Sequence, residues 1–424
     1  MDSCLVITSY LLQISCNSEE EVESPFPSLT SVELLKPRGT KLKRLRDSQN
    51  LLEVSPDIPN NSCSFQSSPT DKIMKFEKAR LVQLKSKKAD VLSSVKGCFR
   101  GQCGVSSKVA QDLELALLVQ AAAEKVEDEK FVYARKLLNM CDVLASKTDN
   151  SVQRVVYYFA KALNERIDQE WGIISSDKLK RSRMVANDFE IDNGSQWTLI
   201  MEAFAVRHEC PLELLKITAA GTCEETMKKT VASDLKDLKE EFFDLEANEA
   251  VAIDLACQLW SLLAWPNHLE ALMAVIQNPK PCFLVLKEVE VCTNAPNFLE
   301  LFKETLLFIS GLIDSMNSCM EKHILYRKPV EEVHWWGMIH DVLTAEGTER
   351  TLRHERIGFW RFLFKKFGFV ESDLSQTSIL QANLTLKRSD QLRPGTSVMD
   401  GKSLIFRWNE TSFQSISAWE FPSD

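Results

Sequence analysis

Acidic and amide side chains crowd around a single glycine in the stretch NDFEIDNGSQWTLIMEAF, positions 187–204. Read in order, it is the end of a strand, a polar turn and the start of an amphipathic helix. In an open α/β sheet that loop is where ligands bind, because the first-turn amides of the following helix can hold an anion. A dinucleotide site needs three glycines to let a pyrophosphate approach the backbone, and a phosphate-cradling loop ends in Gly-Lys-Ser/Thr. Neither pattern is present, and Asp188, Glu190 and Asp192 would repel a phosphate. Two readings remain open. Asn193 and Gly194 form a turn and Ser195 caps the helix, or Asp188, Asn193, Gly194, Gln196 and Trp197 line a pocket for a neutral or cationic small molecule.

Other residues with chemical capacity are dispersed. Glu288 and Glu290 alternate on the apolar run PCFLVLKEVEV, so both acids can share one face, a placement that serves structure as readily as proton transfer. Twelve cysteines include no CxxC pair, and Cys98 and Cys103 lack structural-zinc spacing. His334 and His340 would stand about 240° apart around a helix. No metal site and no cofactor is expected, and no GxSxG nucleophile motif occurs. The stretch KPRGTKLKRLR carries six basic residues and no acid. Lys41, Lys43, Arg44 and Arg46 within it suit docking on an acidic import receptor or on phosphates, or form a solvated charge run.

The elements that must position these groups follow from length and texture. A chain of 424 residues with 44% hydrophobic and 26% charged content can bury a sizeable core in two or three domains. The net charge of -9 argues against coating nucleic acid along the whole surface. No stretch has the roughly 18 uninterrupted apolar residues of a membrane span, so no membrane contact is expected. The opening MDSCLVITSYLLQISC has Asp2 where a signal peptide carries a base, and reads as a frayed tail.

Positions 1–105, rich in Ser, Pro, Asn and charge, read as a flexible low-complexity tail with one helix near 71–92. Positions 106–170 hold three helical segments; Leu113, Leu117 and Ala121 form one stripe, with Leu118, Ala122 and Val126 beside it. Positions 171–424 alternate strands and helices, which implies a doubly wound, mostly parallel sheet. The expected strands are LELLKIT (212–218) and PCFLVLKEVEV (281–291), with helix over 197–207, 224–263 (broken near FFDLEANEA, 242–250) and 266–277. LQANLTLKR (380–388) and KSLIFRWN (402–409) read as an antiparallel hairpin on the sheet edge, and 413–421 as the last strand.

The chain resembles the plant GRAS-domain transcriptional regulators. DFEIDNGSQW looks like the second half of their VHIID motif, and LALLVQAAAEKV and VVYYFAKALNERI like the two ends of their first leucine-rich region. GTERTLRHERIGFWRFLFKKFGF and GKSLIFRWNETSFQSISAW look like their SAW motif, whose structural residues would here be Arg353, Glu355, Trp360, Trp408 and Trp419. The likeness spans about 110–421. It departs before Asp188, where only Val185 and Ala186 stand in place of the apolar VHII strand and its preceding helices. No Asp-Glu-Leu-Leu-Ala segment stands in the tail, which argues against the gibberellin-response subgroup.

The resemblance implies an α/β fold with a methyltransferase-like Rossmann sheet, a C-terminal antiparallel hairpin, a helical cap over 106–170 and a disordered tail. It implies a nuclear regulator, not an enzyme, that binds other GRAS proteins and transcription factors as a homo- or heterodimer and touches DNA weakly or indirectly. Leu113, Leu117, Leu118 and Val126 would belong to the partner-binding region. The alternative implied by the same sheet is an S-adenosylmethionine-binding protein or methyltransferase, holding its donor near Asp188 to Trp197.

Overall fold

The structure is a computed structural model, and it describes residues 3–8, 107–174, 215–219, 249–257, 259–319, 324–389 and 395–422. Helix α1 (Ser107–Glu127), α2 (Phe131–Leu144) and α3 (Ser151–Glu170) follow one another where the 3.6-residue periodicity placed them. Asn150 starts α3 by accepting the Gln153 amide at 3.0 Å, a side-chain cap for a donor the helix itself leaves unpaired. The three helices pack mainly on each other, and α3 also packs on α5 (Phe298–Cys319) and α7 (Trp336–Thr344).

Among the described residues the sheet has eight strands. Its order is β2-β1-β3-β4-β8-β7-β6, with β5 paired to β8. The strands are β1 (Ser3–Thr8), β2 (Leu215–Ala219), β3 (Glu249–Ala256), β4 (Phe283–Val289), β5 (Val370–Ser372), β6 (Thr396–Asp400), β7 (Ser403–Trp408) and β8 (Thr411–Glu420). The β1–β2, β1–β3 and β3–β4 pairs are parallel. The β4–β8, β5–β8, β6–β7 and β7–β8 pairs are antiparallel. The sheet is thus mixed rather than mostly parallel.

Alternation along β4 separates two apolar clusters. Leu284 and Leu286 face Leu272 and Met273 of α4 (Pro266–Gln277) and Trp360 and Phe364 of α8 (Ile357–Lys366). Val289 and Phe413 pack toward α5 and the helical layer instead. Gly311 of α5 lets that helix approach β8 closely; a Cβ there would lie 2.9 Å from Thr411. Pro266 at the first turn of α4 supplies a φ already suited to a helix.

Three sequence expectations are corrected. Ser3–Thr8 is a strand, not a frayed tail; its run CLVI is apolar and β-branched, as a strand inside a parallel sheet requires. The span 224–263, expected helical, contains β3, where Val251, Ile253 and Leu255 are buried at a period of two. LQANLTLKR lies in α9 (Gln376–Ser389), not in the hairpin. Ser375 caps that helix, accepting the Ser378 amide at 3.1 Å. The hairpin partner of β7 is β6, joined through Gly401 at φ 58°, a conformation that glycine adopts freely.

Candidate partner surface and polar strand ends

The C-terminal ends of β3 and β4 are the place a ligand would occupy in an open α/β sheet. Their acids are committed to neighbouring backbone. Glu288 is buried and its Oε1 accepts the Leu259 amide at 2.9 Å. Glu290, just past β4, accepts the Ile357 amide at 3.1 Å and so caps α8. Burial pushes the Glu290 carboxyl up, against the pull of the Ser415 and Ile357 hydrogen bonds. Asp254 is bridged by the Lys287 ammonium at 3.0 and 3.1 Å. These carboxylates hold helix starts and a strand pair together.

Of the SAW candidates, Arg353, Glu355 and Trp360 are joined by hydrogen bonds, Trp360 and Trp419 share an apolar cluster, and Trp408 is tied elsewhere. Arg353 donates to Asn294 Oδ1 at 2.9 Å, and Asn294 donates to Glu355 Oε1 at 2.9 Å. The Trp360 indole donates to the Glu355 carbonyl at 3.0 Å. Trp419 and Trp360 are fully buried, and Trp419 packs on Phe364 with ring centres 4.8 Å apart. Trp408 donates to Asp314 of α5 at 3.2 Å. Two buried aromatic anchors of this size bury on the order of 150–250 Å² each.

The helical layer carries the exposed apolar surface. Leu117, Leu118 and Val126 are buried and Leu113 is half-buried, so most of the stripe expected to meet a partner forms core instead. Helix α2 turns Ala134, Leu137, Leu138 and Cys141 inward. Around the rest of the helix Tyr133 is 62% and Val143 84% exposed, with Val132, Met140 and Leu144 also in solvent. Beside it, Arg135 lies 5.2 Å from the Trp171 ring and donates to Asn164 at 2.8 Å and to Asp168. The signal that could have found this face was α2 itself: apolar residues on both sides of a helix too exposed to bury both.

Lys41, Lys43, Arg44 and Arg46 lie outside the described residues, as do Asp188, Asn193, Gly194, Gln196, Trp197 and the helix expected at 71–92. Among the described residues no group of three His, Cys, Asp or Glu could hold a metal ion. No helix there is long and apolar enough to cross a membrane.

A mixed α/β sheet whose strand-end acids serve as helix caps, joined to a helical layer with an apolar outer face, is the general class. Over residues 226–420 the chain matches the family model described as the GRAS domain family. DELLA protein GAI1 of Vitis vinifera is 26% identical over 422 residues, spanning 84% of this chain and 71% of that protein. DELLA protein 2 of Medicago truncatula is 27% identical over 367 residues, spanning 73% of this chain and 67% of that one. The crystal structure of SCL7 in Oryza sativa matches with a TM-score of 0.57 at 21% identity, over 78% of this chain and 100% of that one, a likeness of fold. These likenesses support a plant GRAS family protein.

Proposed function

We propose that this chain is a nuclear regulator of plant transcription that performs no chemistry of its own. It acts by binding other GRAS proteins and DNA-binding transcription factors, and any contact with DNA is weak or made through those partners. The observation that carries this reading is the outward face of α2, where Tyr133, Met140, Val143 and Leu144 stand in solvent. Aromatic residues and Met are enriched at the cores of protein interfaces, and exposed apolar side chains clustered on one helix are costly to leave wet. The strand order supports relating the sheet to the Rossmann type found in methyltransferases. Use of Glu288 and Glu290 as helix caps favours a binding role for the fold over catalysis.

The experiment is a pair of substitutions on that face, Tyr133→Asp and Val143→Asp. Both sites are exposed, so unfolding stability should change by no more than about 0.5 kcal/mol. Capture of GRAS-family partners from a plant extract should fall at least about tenfold, which corresponds to roughly 1.4 kcal/mol. Full capture by two stably folded variants would remove α2 as the partner surface.

Nuclear entry is assigned to Lys41, Lys43, Arg44 and Arg46, the densest basic cluster of the first 105 positions. Alanine at all four in a fluorescent fusion should abolish nuclear accumulation. Undiminished accumulation would leave the cluster as a solvated charge run.

A further inference from the structure

The parallel half of the sheet is completed from an unusual place in the sequence. β1 lies between β2 and β3 and runs parallel to both. Cys4 to Thr8 pair with Leu215 to Ala219 on one side, and Ser3 to Thr8 with Glu249 to Asp254 on the other. Among the described residues β2 has no other strand neighbour, so β1 alone joins it to the sheet. Positions 9–106 then separate β1 from α1, far more chain than the dozen or so residues a parallel crossover needs. The motif that resembles a first strand, MVANDF at 184–189, is interrupted by Asn187 and Asp188, whereas SCLVIT carries the unbroken apolar run CLVI of a strand buried on both faces.

We propose that the gap between β2 and β3 is a strand-acceptor site for an extended, apolar, β-branched hexapeptide, and that this chain fills it with its own Ser3–Thr8. The strand is held by backbone pairing on two sides and by a long tether, so it is separable from the body it completes. Substitution within it acts on β2 and β3 and leaves the antiparallel half of the sheet intact. An added peptide of the same sequence competes for the gap.

Two measurements on the full chain test this. In the Ala250→Cys variant, mild oxidation should link Cys4 to position 250 within one chain, because the two positions are directly paired and adjacent strands lie about 4.8 Å apart. Peptide mapping by mass spectrometry reads the link. No such link would overturn the proposal, and a link found only between two copies would show that the strand is exchanged rather than supplied in cis.

The second measurement uses Val6→Pro, which removes a backbone donor where a doubly paired strand has no tolerance for it. Hydrogen exchange at 215–219 and 249–256 should accelerate at least about tenfold while β7 and β8 stay protected. A synthetic SCLVIT peptide in excess should restore the slow exchange. Unchanged exchange in the Val6→Pro chain would overturn the assignment. Should that variant fail to fold at all, the cross-link decides alone.

Discussion

Replacing Arg154 by Met should destabilise the chain by about 3–5 kcal/mol, the usual consequence of leaving one member of a buried charge pair behind. Arg154 sits in the first turns of α3 and is 1% exposed. Its Nε donates to Glu331 Oε2 at 3.0 Å, Nη1 to the Asp149 carbonyl at 2.6 Å and Nη2 to Asn317 of α5 at 3.5 Å. Glu331 belongs to the wide π-type turn Val330–Trp335, so this one side chain fastens the helical layer to two neighbouring elements. Burial pulls the guanidinium down and pushes the Glu331 carboxyl up, each opposed by the attraction of the other. Arg327 approaches Glu331 Oε1 at 3.4 Å without hydrogen-bond alignment and is a poor substitute. Adding Glu331→Leu to Arg154→Met should recover at least about half of the loss, since apolar replacement of a buried pair is often close to neutral. Denaturant unfolding measures both; a single-variant loss below about 1 kcal/mol would show that the pair is not a fastening.

Acidification should weaken the fold through His354. The imidazole is fully buried, stands 5.1 Å from the Trp260 ring centre, and is held at about 3 by burial, from an ordinary value of 6.5. The folded chain therefore resists a proton that the unfolded chain accepts. Its contribution is complete above about pH 6.5 and is lost as pH falls toward the folded value of about 3. At pH 5 the loss is about 2 kcal/mol, at 1.36 kcal/mol per unit of separation. The raised carboxyls of Glu290 and Glu331 carry the opposite sign, because lowering the pH relieves them. The informative quantity is consequently the difference between the parent chain and His354→Gln. Unfolding at pH 7.5 and pH 5 should show the parent losing about 2 kcal/mol more than the variant. Parallel pH dependence in the two would reject a buried neutral histidine.

Local pattern announced the elements whose periodicity agrees with their surroundings. Helices α2 and α3 show a 3.6-residue repeat over long stretches, α1 is a long helix-forming run apolar on most sides, α4 opens on Pro266, and β4 and β7 are short apolar-rich runs between turn residues. β3 escaped notice because EAVAIDLA consists largely of residues at home in helices, and only pairing with β1 and β4 makes it a strand. In α9, leucines at 380, 384 and 386 fit both a period of two and a helical turn, and the cap at Ser375 decides. A stripe on α1 reports that one side is apolar, not whether solvent or another helix faces it. Once α2 and α3 pack on α1, Leu117 and Leu118 are interior and the outer surface passes to α2. The roles of Glu288 and Glu290 depend on amides at Leu259 and Ile357, contacts that no local window contains.

The position of β1 also has a consequence in time. A ribosome makes Ser3–Thr8 before either of its neighbours, for the strands on either side of it end at Ala219 and Asp254 in the paired register. At about 5–20 residues per second, the earliest strand waits roughly ten to fifty seconds for its second neighbour to be synthesised. Throughout that interval CLVI is an apolar stretch without a sheet, available to chaperones. Closing the sheet joins residues more than 200 positions apart, the kind of distant pairing that slows folding. The helical layer, whose contacts among α1, α2 and α3 are local, can form well before. Ser3–Thr8, made before both of its neighbours, is then among the last elements to find its place.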